Sequence, residues 1–276
     1  MKFVRLLKTD LYRATVHIDF WVTALLFGGL CLTAEGYTDA HSSITVLELA
    51  LFHTPEELSS RFLCSNYSLF LAGIGSYNLM FAPILAALPS IPGFCRERSG
   101  GYLRLLIPRC GVTRRCLSLY LSALLSGGLV LTAGYGLYGL CCLFLFPGMT
   151  AEAAQWLTVP VWNTVLSQLA GVFVLGMIAA LLPVLLAGWS KNPCFILCTA
   201  FAVFYVYCNA LGTLSNRLFY SGDMEGSFQV MLFYPTAVIQ SFAGHHRWIL
   251  LLWAGVAALV FCLLRLCFSR RLDKGA

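Results

Sequence analysis

The side chains able to do acid–base, nucleophilic or metal chemistry are few in this 276-residue chain, and they are scattered. The five histidines are His17, His41, His53, His245 and His246, and none falls deep in an apolar run. A zinc protease needs His-Glu-x-x-His on a helix, and an intramembrane serine protease needs a buried Ser–His pair; neither pattern occurs. Most of the twelve cysteines lie inside apolar runs, where they pack as small hydrophobes. Cys194 and Cys198 can share a helix face, but no His or carboxylate accompanies them, so no metal site is expected. Cys64 alone sits in a loop on the oxidising side, which leaves no disulfide framework. No Gly-rich loop closes on Lys-Ser or Lys-Thr, so the chain is expected to bind no ATP and no other cofactor itself. No span holds a deep Asp, Glu, Lys or Arg, the groups that proton- and ion-coupled carriers use. If this chain moves a substrate, the energy must come from another subunit.

Composition sets the frame for those residues. Hydrophobic residues make up 59%, charged residues 11%, and mean hydropathy is +0.80. A soluble domain carries about 25% charged residues. A soluble enzyme, a disordered chain and a disulfide-stapled module are therefore excluded. The expected class is an all-α integral membrane protein built as one transmembrane domain over residues 1–276. Six runs are long enough to cross a bilayer, near 18–34, 67–92, 116–146, 161–189, 193–214 and 248–268. The first is short and reads as a continuation of the helix before it. Fifteen Lys and Arg fall on one side of this arrangement and three on the other. The bias puts both termini in the cytoplasm. The net charge of +6 is thus a topological signal and does not indicate nucleic-acid binding.

Residues 1–14 place Phe3, Leu6, Leu7 and Leu11 on one helical face, with Lys2, Arg5, Lys8 and Arg13 largely opposite. That pattern fits an amphipathic helix lying in the membrane interface against anionic headgroups. It also fits a set of charges that only fixes topology. Thr54-Pro55-Glu56-Glu57 predicts a short helix from Pro55 to about Phe62 in the first outer loop. The last outer loop, 215–246, holds an apolar segment broken at Tyr234-Pro235, too short to cross twice. It reads as re-entrant, the alternative being a surface hairpin. Ser118, Ser122 and Ser126, then Gly128, Thr132 and Gly136, form small stripes for close helix packing, as do Gly73, Gly75 and Ser76. The mid-span polar residues Asn78, Gln168 and Asn209 are candidates to line a pathway or to make interhelical hydrogen bonds.

The most distinctive segment is 94–115. It carries Arg96, Arg98, Arg104, Arg109, Arg114 and Arg115 around Tyr102, Leu103, Leu105, Leu106 and Ile107. Ser99 is expected to cap a short helix that Pro108 and Gly111 end. Five apolar residues are too few for a span and many for a solvated loop. The ridge suits a groove on a partner protein or a seat on the membrane surface.

The order aromatic–x–x–Glu–Arg–Ser–Gly–x–Tyr–x–x–x–Leu–Ile–x–Arg–x–Gly, followed by a basic pair, resembles the loop between spans two and three of ABC-2-type transporter permeases, notably those of Gram-positive bacteria. The residues that carry the resemblance are Glu97, Arg98, Ser99, Gly100, Tyr102, Leu106, Ile107, Arg109, Gly111, Arg114 and Arg115. Gly101 stands where the family often has an aromatic. The resemblance implies an ABC-2 (type V exporter-like) architecture in a bacterial cell membrane, with 94–115 as a coupling helix that docks on a separate ATPase carrying ATP and Mg. The docking residues it implies are Arg96, Glu97, Arg98, Gly100, Gly101, Tyr102, Leu106, Arg109, Gly111, Arg114 and Arg115. It further implies a homodimer or a heterodimer with a similar permease, and export of a hydrophobic peptide, an antimicrobial or another amphiphile. The rival readings are a membrane-embedded lipid-modifying enzyme and a non-transporting scaffold.

Overall fold

A computed structural model of the chain describes residues 2–39, 42–54, 58, 64–75, 78–101, 108, 110–148, 160–242 and 248–273. The described chain is helical apart from one short hairpin, β1 (Glu35–Asp39) against β2 (Ser42–Thr45). Among the described residues five helical stretches are long and apolar enough to cross a membrane: Asn78–Ser99, Val112–Leu145, Val161–Ala187, Pro193–Tyr220 and Trp248–Phe268. A sixth arises if α1 (Lys2–Val16) and α2 (Ile18–Leu32) count as one span, although they meet at 55°. This is an all-α, multi-pass membrane protein.

The expected continuous first helix is broken at His17. Its extended backbone (φ −66°, ψ 148°) interrupts the helix, and its imidazole accepts from the Asp19 N–H as the N-cap of α2. The first outer segment holds α3 (Val46–Phe52), started by a capping box in which Thr45 and Glu48 bond each other's backbone N–H. Those bonds hold the Glu48 carboxyl below the usual carboxylate range. Apart from Leu58, the helix expected over Pro55–Phe62 lies outside the described residues.

The expected span 67–92 is also broken. Helix α4 (Asn66–Ala72) stops at Gly73, and helix resumes as a 3₁₀ turn at Asn78–Phe81, then α5 (Ala82–Ala87) and α6 (Ile91–Ser99). Glycine is a poor helix residue, and Pro83 and Pro92 each take a helix N-terminal position, where no N–H is missed. Gly73 and Gly75 therefore sit at a break, and Gly73 also serves close packing as expected, because a Cβ there would run into the Tyr138 ring. Tyr138 and Tyr135 donate to the Leu69 and Phe70 carbonyls at the end of α4, both at 2.5 Å, and Asn78 Nδ2 donates to Gly73 O at 3.3 Å. These bonds satisfy backbone oxygens that lipid could not.

The hub is α7 (Val112–Leu145), against which α1, α2, α4, α5, α8 (Val161–Ala187) and α12 (Trp248–Asp273) all pack. Its 34 residues at about 1.5 Å each make a rod of ~51 Å, well beyond a ~30 Å bilayer core. Two crossings bring backbones together. A Cβ on Gly134 would meet Ala24 O of α2 at 2.5 Å, and one on Gly176 of α8 would meet Gly127 O at 2.5 Å. The close approaches thus use Gly134, Gly127 and, as expected, Gly128, where a Cβ would meet Phe173 O of α8 at 2.8 Å, whereas Gly136 faces open space. Ser118, Ser122 and Ser126 are buried as expected.

α9 (Pro193–Tyr220) runs beyond the expected 193–214 and leads to α10 (Met224–Met231) and α11 (Ala237–Phe242). The turn between the last two packs against α9, and α11 against α8. Tyr207, midway along α9, donates to Phe233 O at 2.8 Å, and a Cβ on Gly171 of α8 would sit 2.7 Å from Ile239 Cα. Only 22% of the apolar window of α9 and 17% of that of α12 is buried, against 67% for α7, so these two helices offer most of their surface to surroundings.

Candidate functional site

The segment singled out by sequence is helical at its start. Phe94 to Ser99 complete α6, so Ser99 ends that helix instead of capping the next. The chain leaves α6 through Gly100 and Gly101, the latter at φ +72°, the left-handed conformation that stops a helix. Gly111, at φ +81°, likewise precedes α7. Tyr102, Leu106 and Arg109, with the rest of the apolar ridge, lie outside the described residues.

Three elements meet here. α1 supplies Asp10 and Arg13, α6 supplies Glu97, and the first two turns of α7 supply Arg115 and Ser118. The Arg115 guanidinium bonds Asp10 Oδ2 at 2.6 Å with one nitrogen and Glu97 Oε2 at 2.5 Å with the other. Ser118 Oγ donates to the same Asp10 oxygen at 2.6 Å, and Arg13 bonds the second Glu97 oxygen at 3.1 Å. Arg115 is only 3% exposed, and its Nε is buried without a partner. A charge this deep is costly unless paired, and here two carboxylates share it. Arg98 ties a fourth element. It donates to Ala187 O at 2.5 Å and to Ser190 O at 2.9 Å, closing the C-terminal end of α8.

Glu97, Arg98 and Arg115 are thus spent on contacts within the chain. Arg96, Gly100 and Arg114 are exposed beside them. A cavity of about 240 Å³ with a mixed lining opens against the cluster, its polar part formed by Asp10, Arg13, His17, Arg96, Glu97 and Arg115 among others. His17 Nδ1 and Asp19 Oδ2 lie 3.0 Å apart at its rim, both about half exposed. Among the described residues no group of three or more His, Cys, Asp or Glu could hold a metal ion.

Asp10 is the member that sequence reading missed. It shares the α1 face of Phe3, Leu7 and Ala14, and a lone acid on an apolar face announces a buried cation. The pathway candidates lie on separate helices. Asn78 is fully buried and bonds its neighbouring backbone, with Oδ1 left buried and unpartnered. Gln168 is half-buried with Oε1 in the same condition. Asn209 is exposed on α9 and donates to Tyr205 O at 3.1 Å.

No protein-family model matches this chain, and no curated protein matches it.

Proposed function

We propose that this chain is the membrane-spanning permease subunit of an ATP-driven ABC transporter with ABC-2 (type V exporter-like) architecture. It exports a hydrophobic peptide, an antimicrobial or another amphiphile. A separate ATPase supplies the energy. The observation that carries the reading is the clasp around Arg115. Glu97 and Arg98 join the end of α6 to α1, α7 and α8 through short polar bonds. A displacement imposed on the chain between Gly101 and Gly111 is then delivered to several spans at once, as a lever needs. This modifies the role implied by the resemblance. Glu97, Arg98 and Arg115 transmit, and the exposed Arg96 and Arg114 face the ATPase.

The exposed face of α9 supports a second permease subunit. Tyr205, Asn209, Thr213 and Arg217 line one open groove along it, and an Asn near mid-span is costly against hydrocarbon. The turn before α11, set against the middle of α9, supports the re-entrant reading of the last loop, and the basic bias supports cytoplasmic termini.

The test is co-purification of the tagged full chain from its native membrane. An ABC ATPase should accompany it, and Arg96→Glu with Arg114→Glu should release that ATPase without loss of fold. Transport by the purified chain alone, without nucleotide, would overturn the reading. The His17–Asp19 pair favours a second reading, an enzyme acting on lipid at the membrane surface. Under it His17→Ala abolishes activity; under the first, His17→Ala leaves transport intact.

A further inference from the structure

At the end of the bundle opposite the ion cluster, an apolar wedge opens between α4, α7 and α8. α7 and α8 are pinned together at Gly127 and Gly176. Toward Gly136 on one helix and Val165 on the other they leave a cavity of about 360 Å³. This is within the ~300–1,000 Å³ range of small-ligand sites. Its walls are Phe70, Gly136, Gly139, Leu140, Val165 and Leu169, among others, and its surface is almost wholly apolar. Two glycines one turn apart make the room. A Cβ on Gly139 would press on the Phe70 ring at 2.8 Å, whereas a Cβ on Gly136 meets nothing within 4 Å.

The back wall is held in place. Phe70 packs on Tyr135 with ring centroids 4.6 Å apart, and the tyrosine hydroxyls of α7 hold the end of α4. The cleft is therefore pre-formed, and an occupant need not order it. Its mouth decides what that occupant is. Around it Leu140, Leu143 and Trp162 are apolar and 53%, 60% and 76% exposed, with Asn66 and Tyr67 at the end of α4 beside them. On two helices that cross a membrane, such a rim faces acyl chains. An empty apolar wedge would forfeit packing contacts on every wall. Asn66 and Tyr67 are the polar residues of its lining, and they leave little polar surface to hold water inside it. Trp162 and Tyr67, at the ends of α8 and α4, are the aromatic types that settle at headgroup height.

We infer that the wedge between α4, α7 and α8 is a binding site for one acyl chain of a resident membrane phospholipid. The chain threads along Gly136 and Gly139, and the headgroup stays at the level of Trp162. The site depends only on the membrane-spanning character of the protein, so it stands apart from the proposed transport activity.

The experiment uses the full chain in bilayer nanodiscs of phosphatidylcholine that carry a photoreactive group either near the acyl terminus or on the headgroup. After illumination, adducts are mapped by peptide mass spectrometry. The tail-labelled lipid should mark Leu140, Val165 and Leu169 more strongly than Leu251 and Leu259 of α12, which serve as ordinary lipid-facing controls. Gly136→Phe, whose ring would occupy the wedge, should abolish the wedge adducts and leave those on α12 unchanged. Unchanged α12 labelling reports a folded protein. Val165→Trp, which fills the wedge from its other wall, should give the same loss. The headgroup-labelled lipid should not mark Leu169. Equal labelling of wedge and control faces, or wedge labelling that survives both variants, would overturn the assignment.

Discussion

The two ends of the helix bundle solve the same problem with different chemistry. At the basic end, helix termini are joined by charge: Arg115 between Asp10 and Glu97, and Arg98 on the carbonyls of Ala187, which ends α8, and of Ser190 just beyond it. At the opposite end, the broken helix α4 is held by neutral hydroxyls, Tyr135 and Tyr138 on the Phe70 and Leu69 carbonyls. Both ends satisfy groups that hydrocarbon cannot. They differ in what happens when one partner goes. A phenylalanine in place of tyrosine leaves one carbonyl short of a bond. Loss of a carboxylate leaves a buried cation. The charged end is thus the brittle one, and the brittle end is where a force from outside would register.

The largest effect should follow Asp10→Ala, which leaves Arg115 with half its neutralising charge. Breaking a buried pair costs about 3–5 kcal/mol, visible as a marked fall in the thermal midpoint of the detergent-solubilised protein. Replacing the whole cluster with apolar side chains (Asp10→Leu, Glu97→Leu and Arg115→Met together) should restore most of that stability. The proposed transport should still fail in this variant, because the lever is gone. A stable and fully active triple variant would show that the clasp transmits nothing.

Tyr135→Phe and Tyr138→Phe should each cost less, about 0.6–1.7 kcal/mol, the range for hydrogen bonds within membranes. The same thermal assay reads them. If either tyrosine change matches Asp10→Ala, the contrast between the ends is false. Arg13→Ala should cost less again. Arg13 is 61% exposed where it meets Glu97, and such pairs are worth about 0–1 kcal/mol. Its effect should vanish at high salt, while that of Asp10→Ala should persist.

The smallest effect concerns the cap of α3. Glu48 has its carboxyl held down by the Thr45 N–H and hydroxyl. A lowered carboxylate stabilises the folded form above the ordinary carboxylate range and loses that contribution as pH falls through the lowered value. Hydrogen exchange at the first amides of α3, corrected for intrinsic rates, should quicken on acidification. Glu48→Gln should remove that dependence.

Much of the fold was legible in the residues. Long apolar runs at Cys116–Phe146, Val161–Trp189 and Trp248–Phe268 need no tertiary information, and α7, α8 and α12 fall where those runs lie. The breaks were less legible. Hydropathy averages over windows of about nineteen residues, so it reads through Gly73 and His17 without registering that the backbone turns there. At the candidate site, residue types were visible and partnerships were not. Glu97 stood out as the one acid among six Arg, able to pair with a neighbour or with a basic residue on a partner, but that it meets Arg13 and Arg115 was not visible.

Sequence by itself determined that this chain is a membrane protein and where its long apolar stretches run, because transfer free energy is a local property of each residue. The tertiary structure alone decided that Asp10, 105 residues from Arg115 along the chain, closes on it, and that Gly127 and Gly134, not Gly136, carry the close crossings. Those outcomes depend on the angle at which one helix meets another. A buried charge or a missing Cβ has meaning only once the neighbouring backbone is in place.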